Sequence, residues 1–200
     1  MKSAVTVAAA VEGLVDEAVA LRLIRHAGAE PGSVYGRSGK AQLRKQISGY
    51  NNAARHAPWL VLVDLDRDED CAPPLRAAWI PVPAPRLCFR VAVRAVEAWL
   101  IADAVALAEF LGVSRGKVPA EPDSIPDPKR ALVNVARNSR RARIRADMVP
   151  REGSGRDVGP AYSSRLIEFV SGHWRPAEAA TTSDSLRRAI ACLEKLIAGP

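Results

Sequence analysis

Trp59-Leu60-Val61-Leu62-Val63-Asp64-Leu65-Asp66-Arg67-Asp68-Glu69-Asp70-Cys71 is the stretch on which the reading of this 200-residue chain turns. Trp59 to Val63 is an unbroken apolar run of strand length, so both of its alternating faces are expected to be buried. It then breaks into acid. Strand alternation points Asp64 and Asp66 the same way, just past the strand's carboxyl end, where open α/β sheets receive their ligands. Carboxylates held close together repel, and a divalent cation such as Mg2+ or Mn2+ relieves them.

On the amino-terminal side, residues 4–11 pass for a buried first strand. Leu14, Ala18, Leu21, Leu23 and Ile24 follow helical spacing, and Gly28 with Pro31-Gly32 closes that helix. Val34-Tyr35-Gly36 reads as a short second strand, and Gly39 to Ala54 as a basic helix. On the carboxyl side a short helix is expected around Leu75–Trp79, a strand over 87–93 and one helix from Arg94 to Leu111. Strands alternating with helices predict an α/β fold, a mainly parallel, Rossmann-like sheet flanked by helices.

Residues 1–111 are expected to form that unit, and the Gly/Pro-rich 112–128 a linker or excursion. Residues 129–200 would be a basic helical part packed on the same domain. Its helices are expected over 129–145, Tyr162–Val170 and Ser185–Ile197, the last capped by Ser183 or Asp184.

The chain carries 29 Lys and Arg against 22 Asp and Glu, a formal charge of +7, which favours a polyanionic partner such as nucleic acid. Arg137, Arg140, Arg141, Arg143 and Arg145 are the best footprint for a phosphate backbone, with Arg44 and Lys45 next. A solvated helix face, or a dock for an acidic protein, competes with that reading. Aromatic residues are not interleaved with the basic ones, which argues against extensive base stacking. Three cysteines with no C-x-x-C spacing fit a reducing cytoplasm, not a zinc site or a disulfide frame. No long apolar run predicts a membrane span. The start at Met1-Lys2-Ser3 faintly resembles a leader but runs into Glu12-Gly13, and is read as strand. Gly153-Ser154-Gly155 lacks the Lys-Ser/Thr ending of a P-loop, so ATP hydrolysis is not expected.

Three further carboxylates compete for the site. Glu12 sits at the seam between the first strand and its helix, beside a glycine that lets the chain turn. Alone it reads first as a simple first-turn acid favoured by the helix dipole, and the second acidic strand end at Asp64 and Asp66 reverses that balance. Asp16 follows one turn later on the same face. Glu97 heads an apolar stripe of Leu100, Ile101, Ala104 and Ala108, where a charge needs a partner or a metal, with Arg90 or Arg94 as the competing ion-pair partner. Asp103 falls on a more polar face, which predicts a solvated side chain. An EF-hand fails, because Glu69 stands where Gly is needed and Leu75 where Glu is needed. An aspartate-nucleophile phosphatase of the haloacid-dehalogenase type stays open as a weaker alternative, since Asp68 stands where that pattern wants Thr or Val.

A strand ending in Glu12-Gly13, an acid at Asp16, and a later strand ending in Asp64-Leu65-Asp66 resemble the Toprim domain. Val96-Glu97-Ala98-Trp99-Leu100 with Asp103, Asp127-Pro128-Lys129, Gly159-Pro160-Ala161-Tyr162 and Ser183-Asp184-Ser185-Leu186 extend the likeness over nearly the whole chain. They match small stand-alone Toprim-like proteins often found beside ABC-type ATPases in phage-defence settings. The resemblance implies a Toprim-like sheet and a Mg2+- or Mn2+-dependent nuclease. It implies Glu12 as general acid/base or metal ligand, and Asp64 and Asp66 as metal ligands. By analogy with the overcoming-lysogenization-defect nucleases it adds Asp16 and Glu97 for a second metal and Lys129 as an assisting lysine. It also implies an ATPase partner and leaves room for a homodimer. A Toprim-shaped binding subunit without turnover is the alternative.

Overall fold

A computed structural model describes residues 4–66 and 68–199; Met1 to Ser3 of the leader-like start lie outside the described residues. Four strands, Thr6–Val11 (β1), Glu30–Gly36 (β2), Trp59–Asp64 (β3) and Leu87–Ala92 (β4), form one all-parallel sheet in the order β2-β1-β3-β4. Between them run helices Leu14–His26 (α1), Lys40–Ala53 (α2) and Ala72–Trp79 (α3). The expected α/β architecture, helices flanking a parallel sheet and a helical carboxyl-terminal part, is what the chain adopts.

Alternation along β3 sorts its apolar side chains onto two faces. Leu60 and Leu62 join Val7, Ala9 and Val11 in the larger core, while Trp59, Val61 and Val63 join Ala10, Leu43, Ile47, Leu75 and Phe89 in a second core on the other face. Trp59 through Val63 are all buried, as the unbroken run predicts. Each fully buried aliphatic side chain contributes about 1.5–3 kcal/mol of transfer free energy.

β2 begins at Glu30, upstream of the expected Val34, and includes Pro31 and Gly32. It is an edge strand, so Pro31 has a side on which no hydrogen-bond donor is needed. Gly36 is required by contact and by conformation: its φ is +90°, and a Cβ there would lie 2.2 Å from the Val11 carbonyl oxygen.

The helix expected over Arg94–Leu111 is two, Val96–Ala102 (α4) and Ala104–Leu111 (α5). The break falls at Asp103, and its physical cause corrects the solvated reading of that residue. The Asp103 side chain is 1% exposed. It caps α5 at Ala106 N–H (3.3 Å) and pairs with Arg175, whose Nη2 lies 2.6 Å away. The excursion after Gly112 is packed: it carries two short 3-10 turns, Arg115–Lys117 and Pro122–Ser124, and buries Val113 and Val118 in the larger core.

The basic segment also divides, into Pro128–Arg137 (α6) and Ala142–Met148 (α7), around a turn where Ser139 Oγ donates to Leu111 O at 2.5 Å. Tyr162–Gly172 (α8), Pro176–Ala179 (α9) and Asp184–Ala198 (α10) complete the chain, with Ser183 as the α10 cap. All these helices contribute to the larger core. Trp99 and Trp174, both fully buried, lock it: Trp99 Nε1 donates to Ser185 Oγ (2.7 Å) and Trp174 Nε1 to Trp99 O (3.2 Å). No described helix is long and apolar enough to cross a membrane.

Candidate active site

The chain leaves β1 to one side for β2 and returns across it to β3, so the sheet reverses its winding between β1 and β3. Ligands of parallel sheets bind outside such a switch point. Glu12 follows β1 there and Asp64 ends β3, and the two meet: the Asp64 N–H donates to Glu12 Oε1 at 2.8 Å. Asp64 Oδ1 in turn accepts from Val96 N–H (2.9 Å), in the first turn of α4, where an N–H lacks an intrahelical acceptor. One carboxylate thus ties β3 to β1 and the next ties α4 to β3.

Behind this pair lies a pocket of about 210 Å3 lined by Asp16, Asp64, Glu97, Lys129 and Tyr162. Asp16 and Glu97 are 8% and 4% exposed. Asp16 Oδ1 is buried without a hydrogen-bond partner among the described residues, and its Oδ2 rests where a Cβ on Gly13 would come within 3.1 Å. Gly13 therefore serves the site by keeping that space for a carboxylate. Glu97 makes no ion pair with Arg90 or Arg94; its contact is the Tyr162 hydroxyl, 3.4 Å from Oε1. In the sequence Tyr162 marks only the start of a helix, because its partner stands 65 residues away.

The electrostatics follow from crowding. Burial, opposed by the hydrogen bond from the Asp64 backbone, raises the Glu12 carboxyl to about 7. Burial and then the Glu97 charge raise Asp16 to about 6. Asp64 is pushed well above the usual carboxylate range by burial and by Asp16, Glu97, Glu12 and Asp66. Glu97 is raised by burial, with Lys129 opposing. Four acids that resist ionising side by side need protons or a cation.

Asp66 departs from the expectation that it points with Asp64. It has φ +53°, in the left-handed region, so strand alternation stops at Leu65 and the Asp66 side chain is exposed. Arg94 at the end of β4 is left-handed as well (φ +62°). The two hold each other: Asp66 N–H donates to Arg94 O (2.7 Å), and Arg94 Nη1 donates to Asp66 O (2.9 Å) and Glu69 O (3.3 Å). Left-handed residues other than glycine cost about 1–3 kcal/mol each and persist where the surroundings impose them. An outer cleft of about 370 Å3, lined by Asp64, Asp66, Asp68, Arg94, Asp127 and Lys129, opens here. Asp64 and Lys129 line both chambers, so the two are neighbours with these side chains between them.

Among the described residues, no group of three or more His, Cys, Asp or Glu side chains is arranged to hold a metal ion as it stands. The donor set nonetheless fits a hard divalent ion: it is all carboxylate oxygen, one oxygen is orphaned and buried, and the group is overcharged. Glu12, Asp16, Asp64 and Glu97 are the residues that would hold it.

The basic candidates separate. Arg141 donates to Phe110 O (2.9 Å) and Arg145 to Ser139 O, so both brace the turn between α6 and α7. Arg143 lies 3.9 Å from Asp147, and Arg44 sits over the Trp79 ring at 5.8 Å. Lys45 and Arg140 are exposed. Arg137 shares a surface pocket of about 420 Å3 with Arg151 and Arg156, two residues that helical patterning missed because they lie on a loop. No protein-family model, no curated protein and no solved structure matches the chain.

Proposed function

We propose that this chain is a metal-dependent phosphodiesterase that hydrolyses nucleic acid. The observation that carries the proposal is the carboxylate group at the β1/β3 switch point. Asp16, Asp64 and Glu97 repel one another there in a pocket with Lys129 on its wall, Glu12 stands against the Asp64 backbone beside them, and Asp16 has a buried, unpartnered oxygen. The order and spacing of the Toprim-like motifs support the same reading, and extend it to an ATPase partner in phage defence.

A divalent ion held by Glu12, Asp16, Asp64 and Glu97 would supply charge neutralisation and an activated water. The chain's own groups perform the rest. Lys129 lines both the inner and the outer chamber, and with Arg94 it offers positive charge to a phosphate entering the outer cleft. Glu12, whose carboxyl stands at about 7 without an ion, keeps Oε1 on the Asp64 N–H and leaves Oε2 to take either a proton or the ion. The Tyr162 hydroxyl fixes the Glu97 carboxylate and walls the pocket from solvent. Exposed Arg137, Arg151 and Arg156 extend the electrostatic hold to flanking phosphates.

The test is cleavage of labelled single- and double-stranded DNA and RNA with Mg2+ or Mn2+, with and without the partner ATPase. Glu12→Gln and Asp64→Asn should each remove cleavage while circular dichroism stays native. Absence of cleavage under all these conditions would end the nuclease reading. An aspartyl-phosphate trapped at Asp64 would replace it with the phosphatase.

A further inference from the structure

Lys40 was only one charge on a basic helix in the sequence, yet its ammonium is the best-coordinated cation in the site. The turn before α2 is pinned to β1: Gly39 N–H donates to Glu12 O (3.0 Å) and Arg37 N–H to Val11 O (2.9 Å). This brings Lys40 across the end of β3, with its side chain only 18% exposed. There Nζ is surrounded by four oxygens. They are Asp64 O at 2.5 Å, Leu65 O at 3.3 Å, Asp66 Oδ2 at 2.9 Å and Asp68 Oδ2 at 2.8 Å.

Two carbonyls and two carboxylate oxygens are the donor types a hard cation takes. Burial pulls the ammonium's proton affinity down, but Asp68 and Asp66 outweigh burial and keep it charged. The inner carboxylates have no comparable internal cation. Lys129 lines their pocket, and still Asp16 Oδ1 is left without a partner.

We infer that Lys40 is a resident cation that reserves Asp66 and Asp68, so that the site takes one exchangeable divalent ion, held by the inner carboxylates, in place of two. The ammonium fills the outer cation position and ties Asp64, Leu65, Asp66 and Asp68 to the start of α2. Lys40 is thus the residue that determines the metal count. The inference rests on the metal-dependent reading above.

The experiment counts ions, independently of turnover, by Mn2+ binding followed by electron paramagnetic resonance and calorimetry on the intact chain. Wild type should bind one ion. Lys40→Met keeps the stem but removes the charge, and should bind two, the second lost again when Asp66→Asn is added. Because Lys40→Met can loosen the loop, a second variant keeps the lysine. Asp66→Asn with Asp68→Asn should leave the wild-type ion count at one and its affinity within about threefold. Two ions on wild type, one ion on folded Lys40→Met, or loss of the ion in the double asparagine variant would each overturn the inference while sparing the metal site. No ion on wild type would overturn the metal-dependent reading itself, and this inference with it.

Discussion

Asp16→Asn should stabilise the metal-free protein above neutral pH, and that sign is diagnostic of a functional carboxylate. Asp16 is 8% exposed, and its carboxyl rises from 3.8 to about 6 because of burial and the neighbouring Glu97. The folded state therefore binds this proton more tightly than the unfolded chain does. The stability linked to it is fully present below the unfolded value and is lost as pH rises through the folded one. A rise of about two units at about 1.4 kcal/mol each sets the ceiling near 3 kcal/mol. Asp64 and Glu97 share the same repulsion, and the new amide must find acceptors among them, so about 1–3 kcal/mol is expected.

For a chain of this size that corresponds to a rise of about 3–9 °C in Tm. The assay is thermal and urea unfolding in a chelator at about pH 8 and about pH 5, where protonation of wild-type Asp16 in the folded state should close about half of the gap, the rest closing only below the unfolded value. Added Mg2+ should stabilise wild type and not the variant, because a ligand stabilises only the state that binds it. A variant that is less stable than wild type at both pH values, or that gains equally from Mg2+, would refute the reasoning. Asp16 would then be a structural acid.

Ser185→Ala should cost about 1–3 kcal/mol, measured as a lower urea midpoint, since it strands the buried Trp99 N–H. Replacing Arg137, Arg151 and Arg156 together by Ala should weaken nucleic-acid binding at every sequence tested. It should also flatten the slope of log affinity against log salt by about 2–3, as each lost phosphate contact removes about 0.9 on a duplex. An unchanged slope would place the electrostatic footprint elsewhere.

Local pattern was enough for the sheet. The run from Trp59 to Val63 is buried throughout, and the strand ends at Glu12 and Asp64 do meet at one edge. Pattern failed where a side chain's partner lies far along the chain. The Arg94–Leu111 helix breaks at Asp103 because Arg175, 72 residues on, binds it. The α6–α7 break is held by Arg141 and Arg145 gripping backbone carbonyls. Cys88 and Cys192, widely spaced in the sequence, are brought near enough to perturb each other's thiols by the packing of α10 on β4.

The same division runs through the opening stretch. By itself the sequence determined that a buried parallel strand ends in acid and that a second acidic end, Glu12, belongs to the same sheet edge. Alternation and hydrophobic period are properties of neighbouring residues, so they can be read along the chain. Only the tertiary structure decided which acids act together. The left-handed turn at Asp66 parts it from Asp64, Asp66 goes to Lys40, and Asp64 stays with Glu12 and lines the inner pocket with Asp16 and Glu97. That choice depends on where α2 and α8 pack and on which ammonium or hydroxyl they deliver. Burial and long-range Coulomb energy settle it, and neither is written in any one segment.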